Sequence, residues 1–283
     1  MRRAFLFFAL LPLLIIGEGR AETASIAVAD RERAVEVRKL INDGIRRHTV
    51  SLTVYDVYDY RDPQKGERSQ GRELGSGTLR IQGSGEIVGC SKTECLIITA
   101  GHVVAGGKVQ VSVRFSNGQF IHNTEVLHHL QRYDYSFIFV RFEGGVPPEY
   151  QNIRLIVGDG QLLDPIIVAG YVMRGESQAV FSVHQGEINT DLMADNTALI
   201  SAPVTASSSG SGVWNTDGKL LGIVKSFSVV MLKDRDIKMA SPGSGIMLSA
   251  RGIFDDTVRS LRDIPNCSRC QDALSLIHHT RAE

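Results

Sequence analysis

Val109-Gln110-Val111-Ser112-Val113-Arg114-Phe115 alternates apolar and polar side chains and then stops at Ser116-Asn117-Gly118. A period of two places every second side chain on one face of a strand, and an Asn-Gly pair supplies the positive backbone angles of a tight hairpin turn. Upstream, Val50, Leu52 and Val54 alternate with Ser51 and Thr53 in the same way. Further short strand candidates follow at 135–142, 165–172, 178–184, 198–204, 220–227 and 245–249. Turn residues separate them: Asp159-Gly160, Arg174-Gly175, Gln185-Gly186, Asp195-Asn196 and Asp217-Gly218. Many short strands with regular punctuation predict an all-β sandwich or barrel. Helical spacing occurs only at the flanks. Asp30 is placed to cap a helix through Ala34, Val37, Leu40, Ile41 and Ile45 that ends at Gly44 or shortly after, and roughly 251–261 predicts a closing helix. The stretch 62–76 has no apolar period and reads as an exposed loop.

Composition narrows the function. The 283 residues carry 31 Lys+Arg against 31 Asp+Glu, a net charge of zero that gives no electrostatic footprint for nucleic acid or an anionic membrane surface. A 43% hydrophobic share is too high for disorder, and 28 Gly without a three-residue period exclude collagen.

Met1-Arg2-Arg3 precedes an uncharged run from Ala4 to Ile16, and Gly19-Arg20-Ala21 offers small residues for cleavage. This predicts a secretory signal peptide over 1–21, with an uncleaved anchor as the alternative. Export to a periplasmic or secreted location favours disulfides. Cys90 and Cys95 bracket a four-residue turn between two apolar stretches, and Cys267 and Cys270 sit in a polar tail, so two local disulfides are expected. The competing arrangement is a four-thiolate zinc site, which suits neither the wide separation of the pairs nor an exported chain.

Three segments have a physical reason to hold a reactive group. Leu96-Ile97-Ile98-Thr99-Ala100-Gly101-His102 runs a buried strand into a turn that presents one imidazole. Asp134 is a lone carboxylate ahead of the apolar strand Tyr135-Ser136-Phe137-Ile138-Phe139-Val140. Ser207-Ser208-Ser209-Gly210-Ser211-Gly212 is a small-residue turn offering a hydroxyl beside backbone N–H groups.

In that order, over roughly 83–261, these segments resemble the trypsin-like serine peptidases, in the bacterial HtrA/Deg-like branch. Thr99-Ala100-Gly101-His102 is similar to that family's histidine motif, and Ser209-Gly210 to its nucleophile motif. The α/β-hydrolases, which share a nucleophile elbow, place aspartate and histidine after the serine, and here both precede it. The resemblance implies an all-β fold of two six-stranded antiparallel barrels of the chymotrypsin type with an N-terminal and a C-terminal helix. The expected organisation is a helical extension over 22–48, a peptidase domain over 49–263 and a tail over 264–283, with no PDZ domain.

The implied activity is that of a serine endopeptidase acting on proteins or peptides, without metal or organic cofactor and without stable membrane insertion after signal cleavage. His102 would be the base, Asp134 its orienting carboxylate and Ser209 the nucleophile, with the backbone N–H groups of Ser207 and Ser209 as the oxyanion hole. Family register puts the first specificity pocket at Pro203 and Lys225-Ser226-Phe227, and without a carboxylate at its base a small or medium apolar side chain is expected before the cut.

The motif departs from the family at three points. Ser207 stands where glycine is usual, Ser208 replaces the aspartate that pairs with a newly cut N-terminus in trypsin-type zymogens, and Ser211 is a competing nucleophile. Two alternatives follow: an inactive trypsin-fold module that binds protein or peptide, and an enzyme held latent until the 62–76 loop or the N-terminal helix moves.

Overall fold

The computed structural model describes residues 32–56, 79–105, 109–130, 133–174, 178–232, 237–262, 264 and 267–278. The expected signal segment, Asp30 and the 62–76 loop lie outside these residues.

Two antiparallel sheets make up the body. The first contains β1 (Thr49–Asp56), β2 (Leu79–Cys90), β3 (Glu94–Ala100), β4 (Val109–Arg114), β5 (Phe120–Ile121), β6 (Thr124–Leu130) and β7 (Tyr135–Arg141), in the order β5-β4-β1-β2-β3-β7-β6. The second contains β8 (Pro165–Arg174), β9 (Gln178–Glu187), β10 (Thr197–Ile200), β11 (Gly212–Trp214), β12 (Leu220–Leu232) and β13 (Ile237–Ser249), in the order β10-β13-β12-β11-β8-β9. The predicted hairpin is the β4–β5 connection, where Gly118 takes φ +88°. Its two-residue second strand makes the first sheet seven-stranded rather than six-stranded. This is the double-barrel arrangement of the chymotrypsin fold.

Strand faces explain which stretches alternate in sequence and which do not. In β3, Cys95 and Ile97 point into the first barrel with Leu52, Val113 and Ile138, whereas Leu96 and Ile98 point out of it into a second apolar layer. Its partner β7 divides the same way, with Ile138 and Val140 inward and Phe137 and Phe139 outward. Both strands therefore read as unbroken apolar runs, because neither face meets water. The outer layer is shared with Ile167, Ala169, Trp214 and Ile223 of the second sheet, so it joins the two barrels. A separate cluster of Val168, Ile200, Val213, Leu221 and Met247 fills the second barrel.

The N-terminal helical segment does not stop at Gly44. It runs over 32–39, widens to a π-helix at Leu40–Ile45 and continues through Arg46–His48 directly into β1. Val37, Leu40 and Ile41 pack on the inter-barrel layer, which offsets the helix-breaking tendency of the glycine.

Among the described residues, two short helices follow in the body and two longer ones come after the second sheet. Here α1 is Gly101–Val104, α2 is Pro148–Gln151, α3 is Ala250–Arg262 and α4 is Ser268–His278. The segment expected as a polar tail thus carries a helix. Its apolar residues Cys270, Ala273, Leu274 and Ile277 follow the spacing of one helical face and are buried. Arg269 fastens that helix to the first barrel by reaching Glu94 at 2.7 Å and Glu125 at 2.8 Å while lying 4.4 Å over the Phe139 ring. Arg269, then Arg141, hold the Glu94 carboxyl below its ordinary range.

All four cysteines are paired, Cys90 with Cys95 and Cys267 with Cys270, so the four-thiolate arrangement does not form. The first disulfide joins register partners of the β2–β3 hairpin, and the second lies at the start of α4. Among the described residues no helix is long and apolar enough to cross a membrane.

Candidate active site

The β3–β7 register brings His102 to Asp134. Thr99 pairs with Ser136 and Ala100 with Tyr135, so the residues just beyond these strand ends meet across the sheet edge. Gly101 N–H donates to Asp134 O at 2.8 Å and continues the ladder by one bond. Asp134 takes φ +55°, a left-handed conformation uncommon for a residue with a side chain but tolerated by aspartate. In that conformation it holds His102 twice, its Oδ1 accepting the backbone N–H at 2.7 Å and its Oδ2 lying 2.8 Å from the ring Nδ1. A carboxylate at Nδ1 makes that nitrogen the donor and leaves Nε2 free to accept.

Nε2 of His102 lies 2.8 Å from the Oγ of Ser209. The imidazole is open to solvent, its side chain 44% exposed, whereas Ser209 is 6% exposed at the floor of the cleft between the barrels. Backbone bonds hold the serine from both sides. Ser84 N–H of the first barrel donates to Ser209 O at 2.9 Å, and Gly210 N–H donates to Val224 O at 2.8 Å.

Gly210 is required by conformation and by space. It has φ +82°, and a Cβ there would lie 2.1 Å from Ser84 O and 2.4 Å from Thr99 Oγ1. Gly210→Ala is expected to lower stability by about 2–4 kcal/mol, combining the left-handed strain with a backbone clash. Calorimetry should therefore show a Tm drop of about 5–15 °C, and an unchanged Tm would contradict this packing.

Ser211 faces the other way. It is 1% exposed and its Oγ donates to Ser84 Oγ at 3.3 Å, so it lies behind the cleft rather than beside His102. Ser84 also accepts Tyr171 N–H at its Oγ and receives the Thr99 hydroxyl at its carbonyl, both at 2.7 Å. These buried hydroxyls seal the inter-barrel floor. Sequence reasoning missed Ser84 because one serine in Gly83-Ser84-Gly85 carries no mark of its partners.

The residues before Ser209 are wound. Ala206–Ser208 form one turn of 3-10 helix capped by Thr205, with Ser208 Oγ accepting Thr205 N–H at 2.9 Å and Ser208 N–H donating to Thr205 O at 2.9 Å. The i to i+3 pattern of such a turn aims the next N–H, that of Ser209, back at the carbonyl of Ala206. Among the described residues only Asp134, Leu163 and Asn196 combine a side chain with positive φ, so Ser207 does not adopt the glycine-like conformation. Its Oγ instead accepts Met173 N–H at 3.1 Å and lies 3.2 Å from Thr205 Oγ1. The Ser209 N–H, expected to face an oxyanion, is thus directed back along the turn in this conformation.

The expected pocket residues are brought together in part. Pro203 is exposed, while Lys225 and Ser226 are half-buried along β12. Phe227 pairs with Gly245 across the β12–β13 ladder, although its side chain lies outside the described set. Sequence reasoning missed Gly245 and Val204. A Cβ on Gly245 would lie 2.9 Å from Val204 Cγ2 and 3.1 Å from Cγ1 of its cross-strand partner Ile200, so the packing beside Phe227 is apolar and tight. The glycine-rich run Pro242-Gly243-Ser244-Gly245 was the available signal.

A cleft between two antiparallel barrels, with a histidine from one against a serine of the other, defines the trypsin-like class of fold. Residues 75–223 match the family model of the trypsin-like peptidase domain, just over half of the chain, and the protein belongs to that family. No curated protein matches the chain.

Proposed function

We propose that the protein is an exported serine endopeptidase that cleaves proteins or peptides through His102, Asp134 and Ser209 and an acyl-enzyme intermediate. The observation that carries this reading is the unbroken relay of Asp134, His102 and Ser209 at 2.8 Å per step. His102 Nε2 takes the Ser209 proton as Oγ attacks the peptide carbonyl, and Asp134 stabilises the imidazolium. The tetrahedral intermediate collapses as His102 returns that proton to the leaving amine. Water, deprotonated by the same nitrogen, then releases the acyl group and regenerates Ser209.

The wound Ala206–Ser208 turn supports a latent resting state. Unwinding it would turn the N–H groups of Ser207 and Ser209 toward the oxyanion. This favours the latent enzyme over a module that only binds, since the relay itself is intact. Two disulfides support export, and the Thr99-Ala100-Gly101-His102 motif supports kinship with the HtrA/Deg-like branch. In this reading 1–21 is the signal, 22–48 a helical extension and 49–263 the peptidase domain.

The tight apolar packing of Gly245 against Val204, beside Phe227, supports a preference for a small or medium apolar side chain before the cut. Digestion of a peptide library with the protein lacking residues 1–21 tests it. Cleavage concentrated after residues such as Ala or Val is expected, and cleavage mainly after Arg or Lys would rule this pocket out.

A further inference from the structure

Among the described residues Glu86 is the one carboxyl that the reaction above leaves without a role although it is 0% exposed, and it lies beside the nucleophile strand. It sits on β2 and reaches its neighbour β1 on one side and β11 of the second sheet on the other. Its Oε1 accepts the N–H of Gly212, three residues after Ser209, at 2.7 Å. Its Oε2 lies 3.1 Å from the hydroxyl of Thr49, at the start of β1. That hydroxyl also lies 3.0 Å from the carbonyl of Ile45, the last residue of the π-helix.

Counting protons limits this chain, because Thr49 cannot donate fully to both Glu86 and Ile45. The Thr49 hydroxyl has one proton and faces two oxygens, and the Ile45 carbonyl can only accept. If Thr49 donates to Ile45, the contact between Thr49 and Glu86 needs a proton from the carboxyl. The neutral acid then satisfies every atom: Gly212 N–H donates to Oε1, Oε2–H donates to Thr49 Oγ1, and Thr49 donates to Ile45 O. An ionised carboxylate would be held in the interior by one N–H and at most one hydroxyl, without a cation, which is a costly arrangement.

The surroundings agree. Among the described residues no Lys, Arg or His forms a salt bridge with Glu86, and burial, outweighing the bonds from Gly212 and Thr49, pushes its carboxyl well above the ordinary range. From the segment entering β1, His48 packs 5.5 Å from the Trp214 ring of β11 and is itself held neutral by burial. Tyr171 on β8 also senses Glu86, and burial raises it too. The site leaves no room for adjustment, since a Cβ on Gly212 would lie 2.7 Å from Glu86 Oε1 and 2.2 Å from Trp214 Nε1.

We propose that Glu86 is a positioning residue that works as a neutral acid, linking the strand that follows Ser209 to the end of the N-terminal helical segment through Gly212, Thr49 and Ile45. The proposal rests on the peptidase reading for the catalytic consequence, while the protonation of Glu86 can be read without activity. The segment before β1 thereby becomes part of the frame that aims the nucleophile.

Glu86→Gln keeps an acceptor for Gly212 and a donor for Thr49, whereas Glu86→Leu keeps volume and removes both. The rate of Ser209 labelling by a fluorophosphonate is expected to stay within about threefold of wild type in Glu86→Gln, and to fall about 10²-fold in Glu86→Leu as the nucleophile shifts. Infrared spectra at pH 7 should show a protonated-carboxyl band in wild type that Glu86→Gln lacks. Because the folded state holds this proton more tightly than the unfolded chain, its stabilising contribution is present below about 4.5 and declines as pH rises toward the raised folded value. The Tm of Glu86→Gln should therefore gain on wild type as pH increases from 4 to 8. A missing band, or Glu86→Gln labelling as slowly as Glu86→Leu, overturns the proposal. Failure of wild type to label would instead remove the peptidase reading and leave the infrared and Tm results to decide the protonation.

Discussion

Ser209→Ala is expected to abolish fluorophosphonate labelling and to lower kcat for peptide hydrolysis by about 10⁴–10⁶-fold, leaving only what binding supplies. The size of the effect follows from the contact itself, since Ser209 Oγ is the group against His102 Nε2, at 2.8 Å. Ser211→Ala is the matched control. Its hydroxyl is buried against Ser84 behind the cleft, so removing it should change labelling by less than about tenfold. The fold should survive both substitutions, as the Ser209–Gly210 peptide is tied by its backbone, Ser209 O to Ser84 N–H and Gly210 N–H to Val224 O, rather than by the Ser209 side chain. Labelling that persists in Ser209→Ala and disappears in Ser211→Ala would reassign the nucleophile.

Ser207→Gly is expected to act in the opposite direction and raise kcat by about 10–10²-fold, because each backbone donor to an oxyanion is worth roughly 10²–10³ in kcat. Two restraints leave with the side chain. One is the pair of contacts from Ser207 Oγ to Met173 N and Thr205 Oγ1, which hold the 3-10 turn wound. The other is the penalty of about 1–2 kcal/mol that a Cβ imposes on the left-handed backbone conformation. Ser207→Ala separates them, since it loses the contacts and keeps the Cβ, so its gain should be smaller. KM should change little in either variant, because the donors act on charge that appears only in the transition state. A Ser207→Gly enzyme no faster than wild type would show that the turn does not limit catalysis.

The legibility of this protein in its sequence varied with how local the determinant was. The β4–β5 hairpin was readable because alternation and an Asn-Gly turn are both local signals. The ends of β3 and β7 were readable for the same reason, marked by His102 and Asp134 beside apolar runs. Helix α4 was less so, since its buried face is only four residues among polar neighbours and its docking depends on Arg269 reaching Glu94 of the first barrel. The wound turn was also hidden. Thr205-Ala206-Ser207-Ser208 permits an extended or a helical conformation, and its observed state depends on Met173, which is distant along the chain.

The sequence by itself determined the all-β character, the order His102, Asp134, Ser209 and the oddity of Ser207, because each rests on residue type and short-range spacing. Tertiary structure decided which serine faces the histidine, where the N–H groups before it point and that Glu86 lies buried between Gly212 and Thr49. Those outcomes arise where two barrels press together, and there direction and proton placement depend on atoms from segments between about thirty and more than a hundred residues apart, from 34 between Met173 and Ser207 to 126 between Glu86 and Gly212.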